Sequence, residues 1–199
     1  MKKEQRIADF FFELGTMRKL PRMHRQVLLT DDMSDNIASH SYRVAMIGWF
    51  LAKEEGVDPY KVVMMCLSHD LGEIRSNDHN WVHRRYVRVF EEQIAEEQLG
   101  TLPYTDLKDL YDEYENRETW EAVVAKDADL LDQILLLREY EWQGNREAAV
   151  WLHGKTGEDD TGHKHAEMLK TESAHKIAEV IYEKSPTEWW KNLWTSKRK

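Results

Sequence analysis

The sequence predicts an all-α protein, and three observations carry that prediction. Apolar residues recur at spacings of three and four along most of the chain. Only 9 glycines and 4 prolines interrupt its 199 residues. No run alternates apolar and polar residues for long enough to read as a strand.

The elements follow in order. Residues 3–14 gather Ile7, Phe10, Phe11 and Leu14 on one face, and Gly15 ends the segment. Residues 39–55 repeat the pattern through Val44, Ile47, Phe50 and Leu51, with Gly56 as the stop. Asp58-Pro59 is a start signal, an aspartate cap followed by proline at the first helical position. That helix runs through Val62, Val63, Cys66 and Leu67 into His69-Asp70. Further helices are predicted near 82–99, 106–115, 117–142, 164–184 and 187–194. Residues 23–38 and 153–163 read as loops. The pattern gives one domain, with a core over about 5–145 and a helical extension over about 146–199.

Charged residues make up 33% of the chain, and the formal net charge is −9. An acidic surface repels nucleic acid and anionic lipid, so neither is an expected partner. A small phosphorylated substrate remains possible where a cation and a few arginines neutralise it locally. The lone cysteine, Cys66, excludes an internal disulfide and reads as a core residue. No apolar stretch approaches the length of a membrane span and the N-terminus is too polar for a signal peptide, so an intracellular, cytoplasmic protein is expected. The end EWWKNLW reads as a docking stripe for the core or for a second copy in a homodimer, and SKRK as a solvated tail.

The informative constellation is one histidine, then a His-Asp pair, then one aspartate. His69-Asp70 alone is a weak signal, because such a dipeptide arises readily by chance. Its setting strengthens it: the pair ends an apolar helix, where an uncompensated aspartate is expensive to bury. His40 opens the apolar run ASHSYRVAMIGWFLA, and Asp129 lies within VVAKDADLLDQILLL. A single buried histidine is more often a core residue than a ligand. Several such groups on core-like helices need a common partner, and a divalent cation is the simplest. Imidazole and carboxylate together suit Mn²⁺, Co²⁺, Ni²⁺, Fe²⁺ or Zn²⁺, with Mg²⁺ also to be considered.

The segments DNIASHSYRVAMIGWFLA, CLSHDLGEI and AKDADLLDQILLLREYE resemble the signature stretches of HD-domain hydrolases, in particular the branch of 5′-deoxynucleotidases. The resemblance covers about residues 5–145. It implies a helical bundle around one divalent metal and hydrolysis of deoxyribonucleoside 5′-monophosphates. His40, His69, Asp70 and Asp129 match the family's metal ligands. Two further family carboxylates fall on Glu73 and Asp78, and a phosphate-contacting arginine falls on Arg22. Glu73 stands one helical turn beyond the His-Asp pair and so shares its side. Rival readings are an HD hydrolase of another small phosphate (a nucleoside triphosphate, a cyclic dinucleotide or a phosphorylated metabolite) and a non-catalytic nucleotide sensor.

The chain departs from the family around the substrate pocket. Ser39 replaces an acid, Asn77-Asp78 stands where Gly-Asp is usual, and HNWVHRRYV is unlike the common pattern. His79 and His83 raise the possibility of a second metal, but the related di-iron oxygenases place their extra histidines farther along, so a phosphate or surface role is expected. Asp127 and Asp129 lie about 200° apart around one helix, so only one can face the metal. Asp129 is the family match, and Asp127 is expected to face solvent or a basic neighbour.

Overall fold

Helix α1 (Lys3–Leu14) spans the predicted residues, burying Arg6 and Phe10. A 3₁₀ turn at Met17–Lys19 follows. The predicted loop 23–38 contains one short helix, α2 (His24–Leu28), and gives up Ile37 and Ala38 to the next helix, which Asn36 caps by accepting from Ser39 N through its Oδ1. Helix α3 (Ile37–Glu55) ends at Gly56, whose φ of 72° is the left-handed conformation that glycine adopts without strain. Asp58 caps α4 (Pro59–Ser68) by accepting from Tyr60 N and Lys61 N.

The predicted helix over 82–99 is two helices. Asn80 caps α6 (Trp81–Tyr86), which follows the single turn α5 (Glu73–Ser76), and α7 (Glu91–Gln98) starts afresh. Between them Val87 is extended, with φ −113° and ψ 133°. Helices α8 (Asp106–Asn116) and α9 (Trp120–Trp142) fall close to expectation. Asn145 caps α10 (Arg146–His153), which the periodicity did not reveal. A 3₁₀ turn at His165–Met168, then α11 (Glu172–Glu183) and α12 (Glu188–Lys191), complete the order.

The computed structural model describes residues 2–156, 159–160, 165–191 and 193. The tail SKRK, and parts of the predicted 153–163 loop and of the 164–184 and 187–194 helices, lie outside them. Among the described residues the extended pairings are the short Lys155–Thr156 with Asp159–Asp160 contact and a bridge from Pro21 to Asn36. The fold is all-α.

Helix α9 is the centre of the core. Ala125, Ala128, Leu131, Ile134 and Leu137 are fully buried on it. Each of the three larger side chains contributes about 1.5–3 kcal/mol by leaving water. Helices α3 and α4 pack on α9 and most closely on one another. Gly48 sets that approach: a Cβ there would meet Cys66 Sγ at 2.7 Å and Val62 Cγ1 at 3.0 Å. Ala148, Leu152, Leu169, Ala174 and Ala178 from the C-terminal stretch join the same core.

One expectation about α9 is corrected. Asp127 faces neither solvent nor a basic group; it is 1% exposed. Its carboxylate accepts from Thr171 Oγ1 at 2.7 Å, Thr171 N at 2.7 Å and Lys170 N at 3.0 Å. Thr171 is the cap of α11, so Asp127 anchors that helix to α9. The solvent-side argument failed because α9 is covered on nearly all sides.

Candidate active site

Three helices bring ligand-type atoms of His40, His69 and Asp129 within 4.8 Å of one another, with Asp70 beside both histidines. Helix α3 supplies His40, the end of α4 supplies His69 and Asp70, and α9 supplies Asp129. His40 Nε2 lies 3.2 Å from His69 Nε2, 3.4 Å from Asp70 Oδ2 and 3.2 Å from Asp129 Oδ1. His69 Nε2 lies 3.1 Å from Asp70 Oδ2 and 3.9 Å from Asp129 Oδ1. Bonds of about 2.1 Å to one cation would set neighbouring donors about 3 Å apart, so the separations suit a shared ion.

The histidines are oriented from behind. His40 Nδ1–H donates to Asp132 Oδ2 at 2.6 Å, and His69 Nδ1–H donates to the Cys66 carbonyl at 2.7 Å. Each Nε2 lone pair is thereby turned toward the cluster, the arrangement metal-binding imidazoles use. Asp132 is held in turn by Arg43, which also donates to Glu139 at 2.8 Å. Burial opposes charge on His40, and so does Arg22, yet its hydrogen bonds to Asp129, Asp132 and Asp70 push its pKa well above the ordinary imidazole value. Burial likewise resists ionisation of Asp70 and Asp129, but His69 and His40 beside the first, and Lys126 and His40 beside the second, hold both well below the usual carboxylate range. The cluster calls for positive charge at its centre, and its donor set fits a divalent cation.

The ligand atoms open onto a cleft of about 750 Å³. Glu73 lines it, and its Oε2 is shut from solvent without a hydrogen-bond partner. Burial, reinforced by Asp70 and Asp78, raises its pKa well above that of an ordinary glutamate. Asp78 is 5% exposed and accepts from Met23 N, tying its turn to the residue that follows Arg22. Arg22 is 7% exposed, donates to Gln133 Oε1 at 3.1 Å, and is held cationic, against burial, by Asp70, Asp129 and Asp78. Arg18 and Arg25 do not line the cleft; Arg25 sits 3.7 Å from Asp31.

Asn77 has φ 64° and ψ 163°, a region that glycine adopts and other residues scarcely do. The Asn77-Asp78 departure therefore keeps a glycine's backbone under an asparagine. His79 lines the cleft, with its ring edge-on to that of His83 at 5.7 Å.

Sequence reasoning missed several groups. Asp132 follows Asp129 by three residues, one turn along the same face, and that spacing could have revealed it. Arg84, Arg88, Arg117 and Lys126 also line the cleft, brought in from α6, the α6–α7 link, the end of α8 and α9. His24, lowered to a pKa of about 3 by burial, Arg22 and His165, presents an uncharged ring there.

Known proteins resemble this chain over most of its length. The family model described as HD domain matches residues 17–180. The chain is 33% identical over 151 residues to 5′-deoxynucleotidase HDDC2 of Dictyostelium discoideum, covering 68% of this chain and 77% of that protein. It is 27% identical over 146 residues to 5′-deoxynucleotidase HDDC2 of Homo sapiens, covering 68% of each. Among solved structures it is similar to a conserved hypothetical protein from Pyrococcus furiosus, with TM-score 0.69 and 28% identity over 88% of this chain and 97% of the other. It is also similar to a predicted metal-dependent phosphohydrolase from Magnetospirillum magnetotacticum MS-1, with TM-score 0.64 and 25% identity over 91% and 94% of the two chains.

Proposed function

This chain belongs to the HD-domain family, and from that premise we propose that it is a metal-dependent phosphohydrolase releasing phosphate from nucleoside 5′-monophosphates, deoxyribonucleotides foremost. The observation that carries the reading is the pairing of an inward-facing His40, His69, Asp70 and Asp129 set with a buried, unpartnered Glu73 carboxyl in one cleft. His40, His69, Asp70 and Asp129 would hold the cation, which would polarise phosphate and lower the pKa of water. The mixed nitrogen and oxygen donors favour Mn²⁺, Co²⁺, Fe²⁺, Ni²⁺ or Zn²⁺ over Mg²⁺.

In the reaction, a water oxygen bonds to phosphorus and the bond from phosphorus to the 5′-oxygen breaks. The departing oxygen takes the electron pair and needs a proton, which Glu73 supplies when protonated, the form that its burial favours. Arg22 faces the same aspartates and offers a guanidinium fork to the phosphoryl oxygens. Asp78 positions Arg22 through the Met23 backbone.

The reading extends to a homodimer and an intracellular compartment. Tyr42, Met46, Trp49 and Phe50 form an exposed apolar stripe on α3 that suits a second copy. No helix among the described residues is long and apolar enough to cross a membrane. A phosphate-release screen of nucleoside mono-, di- and triphosphates with Mn²⁺, Co²⁺ and Mg²⁺ tests the activity. Chelator-sensitive turnover of at least one deoxynucleoside monophosphate is expected. Metal-loaded protein that turns over none of the panel would sink the reading in favour of a nucleotide sensor.

A further inference from the structure

Beside its carboxylates the cleft is lined by several cationic side chains. Arg22 and the metal-ligand cluster serve one end. Arg84, Arg88 and Arg117 line the same cavity from other elements. Elsewhere in this acidic chain Arg25, Arg43, Arg75 and Arg138 each lie within 4.0 Å of a carboxylate, whereas Arg6, Arg18, Arg85 and Arg146 stand away from the cleft without one. Among the described residues Arg84, Arg88 and Arg117 have no such ion pair. Arg84 spends only its Nε, on the His79 carbonyl at 3.0 Å.

Arg117 is the most telling of the three. It adopts φ 57°, a left-handed conformation uncommon for a residue with a side chain. Its guanidinium carbon lies 3.5 Å from the centre of the Tyr114 ring, and that ring lies 5.3 Å from His69. Stacking leaves the in-plane N–H groups free. Nη1 is shut from solvent and meets no acceptor. Glu115 feels its charge but makes no ion pair with it. A buried donor with no acceptor is costly, and an anionic ligand removes the cost.

We propose that Arg84, Arg88 and Arg117 form a second anion-binding subsite of this cleft, and that the preferred substrate is a nucleotide bearing a second phosphate group beside the one cleaved. This rests on the hydrolase reading above. Water bonds to the phosphorus at the end of the cleft lined by Arg22 and Glu73, the bond to its bridging oxygen breaks, and that oxygen leaves with a proton. The second phosphate stays on the nucleoside product throughout.

The test compares deoxyadenosine 5′-monophosphate, 5′-diphosphate and 3′,5′-bisphosphate as substrates of the Mn²⁺-loaded enzyme, with products resolved by chromatography. At least one doubly phosphorylated nucleotide should show kcat/KM about tenfold or more above the monophosphate, since guanidinium–phosphate bonds are among the strong ones. The winning compound tells where the second phosphate sits. Arg117→Gly and Arg88→Gln should each cut that ratio severalfold or more. Glycine tolerates positive φ, so the Arg117→Gly protein keeps its backbone. A ratio near one in the unmutated enzyme, or a ratio that neither substitution moves, overturns the subsite. Calorimetric titration with the same three nucleotides separates it from the hydrolase reading. Tighter, Arg117-dependent binding of a doubly phosphorylated nucleotide without turnover of any would keep the subsite and remove the activity. Turnover of the monophosphate with no preference in either assay would do the reverse.

Discussion

Helix α9 grips the His40 ring from both edges: Asp132 accepts from Nδ1 at 2.6 Å while Asp129 faces Nε2 at 3.2 Å. One turn of helix thus supplies a ligand-type carboxylate and the carboxylate that aims its neighbour. Asp132→Ala should weaken metal affinity about 10- to 100-fold, read by competition with a chelator of known strength. An affinity within twofold of the parent would reduce Asp132 to a partner for Arg43.

Replacing Glu73 with Gln keeps its shape and removes its proton. Turnover should drop about 100-fold or more while metal content and Tm hold. The sign of its pH dependence follows from the raised pKa: Glu73 acts as an acid only while protonated, so activity declines as pH rises through that value. Residual activity of the variant should lack this alkaline limb. A persisting limb would assign it to another group.

Arg22→Ala should raise KM and lower kcat/KM with the metal retained. Arg18→Ala, at an exposed residue, serves as the comparison. Equal losses in the two variants would show that Arg22 does not meet the phosphate.

Asp127 and Asp129 should fail in different ways. Asp129→Ala should lose bound metal and activity together. Asp127→Ala strips the cap of α11 of its acceptor and leaves buried Thr171 N–H and O–H donors unmet, a cost of about 1–3 kcal/mol for each orphaned group. A markedly lower Tm with near-parental metal content in the cold is expected. Metal loss from Asp127→Ala without lowered stability would contradict this division.

Asn77→Gly should stabilise the protein. An asparagine in this backbone region carries strain on the order of 1–3 kcal/mol, and the exposed Asn77 side chain makes no hydrogen bond to offset it. Thermal unfolding should shift upward by a few degrees. An unchanged or lower Tm would mean the strain is absent.

Local signals carried most of the fold. The Gly56 stop and the Asp58-Pro59 start are written in adjacent residues, and the structure follows them. The break at Val87 was hidden because no proline or glycine marks it. Helix α10 escaped notice although Gly144-Asn145, a left-handed glycine and a capping asparagine, announces it. His40, His69, Asp70 and Asp129 were legible because polar groups stood out against apolar runs. Arg84, Arg88 and Arg117 were not, because an arginine on a surface segment reads as a solvated charge; Arg84 and Arg88 do stay exposed, and only the tertiary fold shows that they border a cleft. Asp127 was misread for the converse reason: a helix buried all round has no solvent side for periodicity to find.

Gly48 touches none of the ligand atoms, yet it governs the gap between them. It lies eight residues past His40, and the helix it lets in close leads straight into His69. A methyl group there would meet Cys66 Sγ and Val62 Cγ1, so those side chains or α4 itself would have to shift. The calliper jaws are His40 and His69; the screw that sets their opening is a hydrogen atom about 12 Å along the helix. The spacing of the two imidazoles thus depends on a close helix approach at a position remote from both rings.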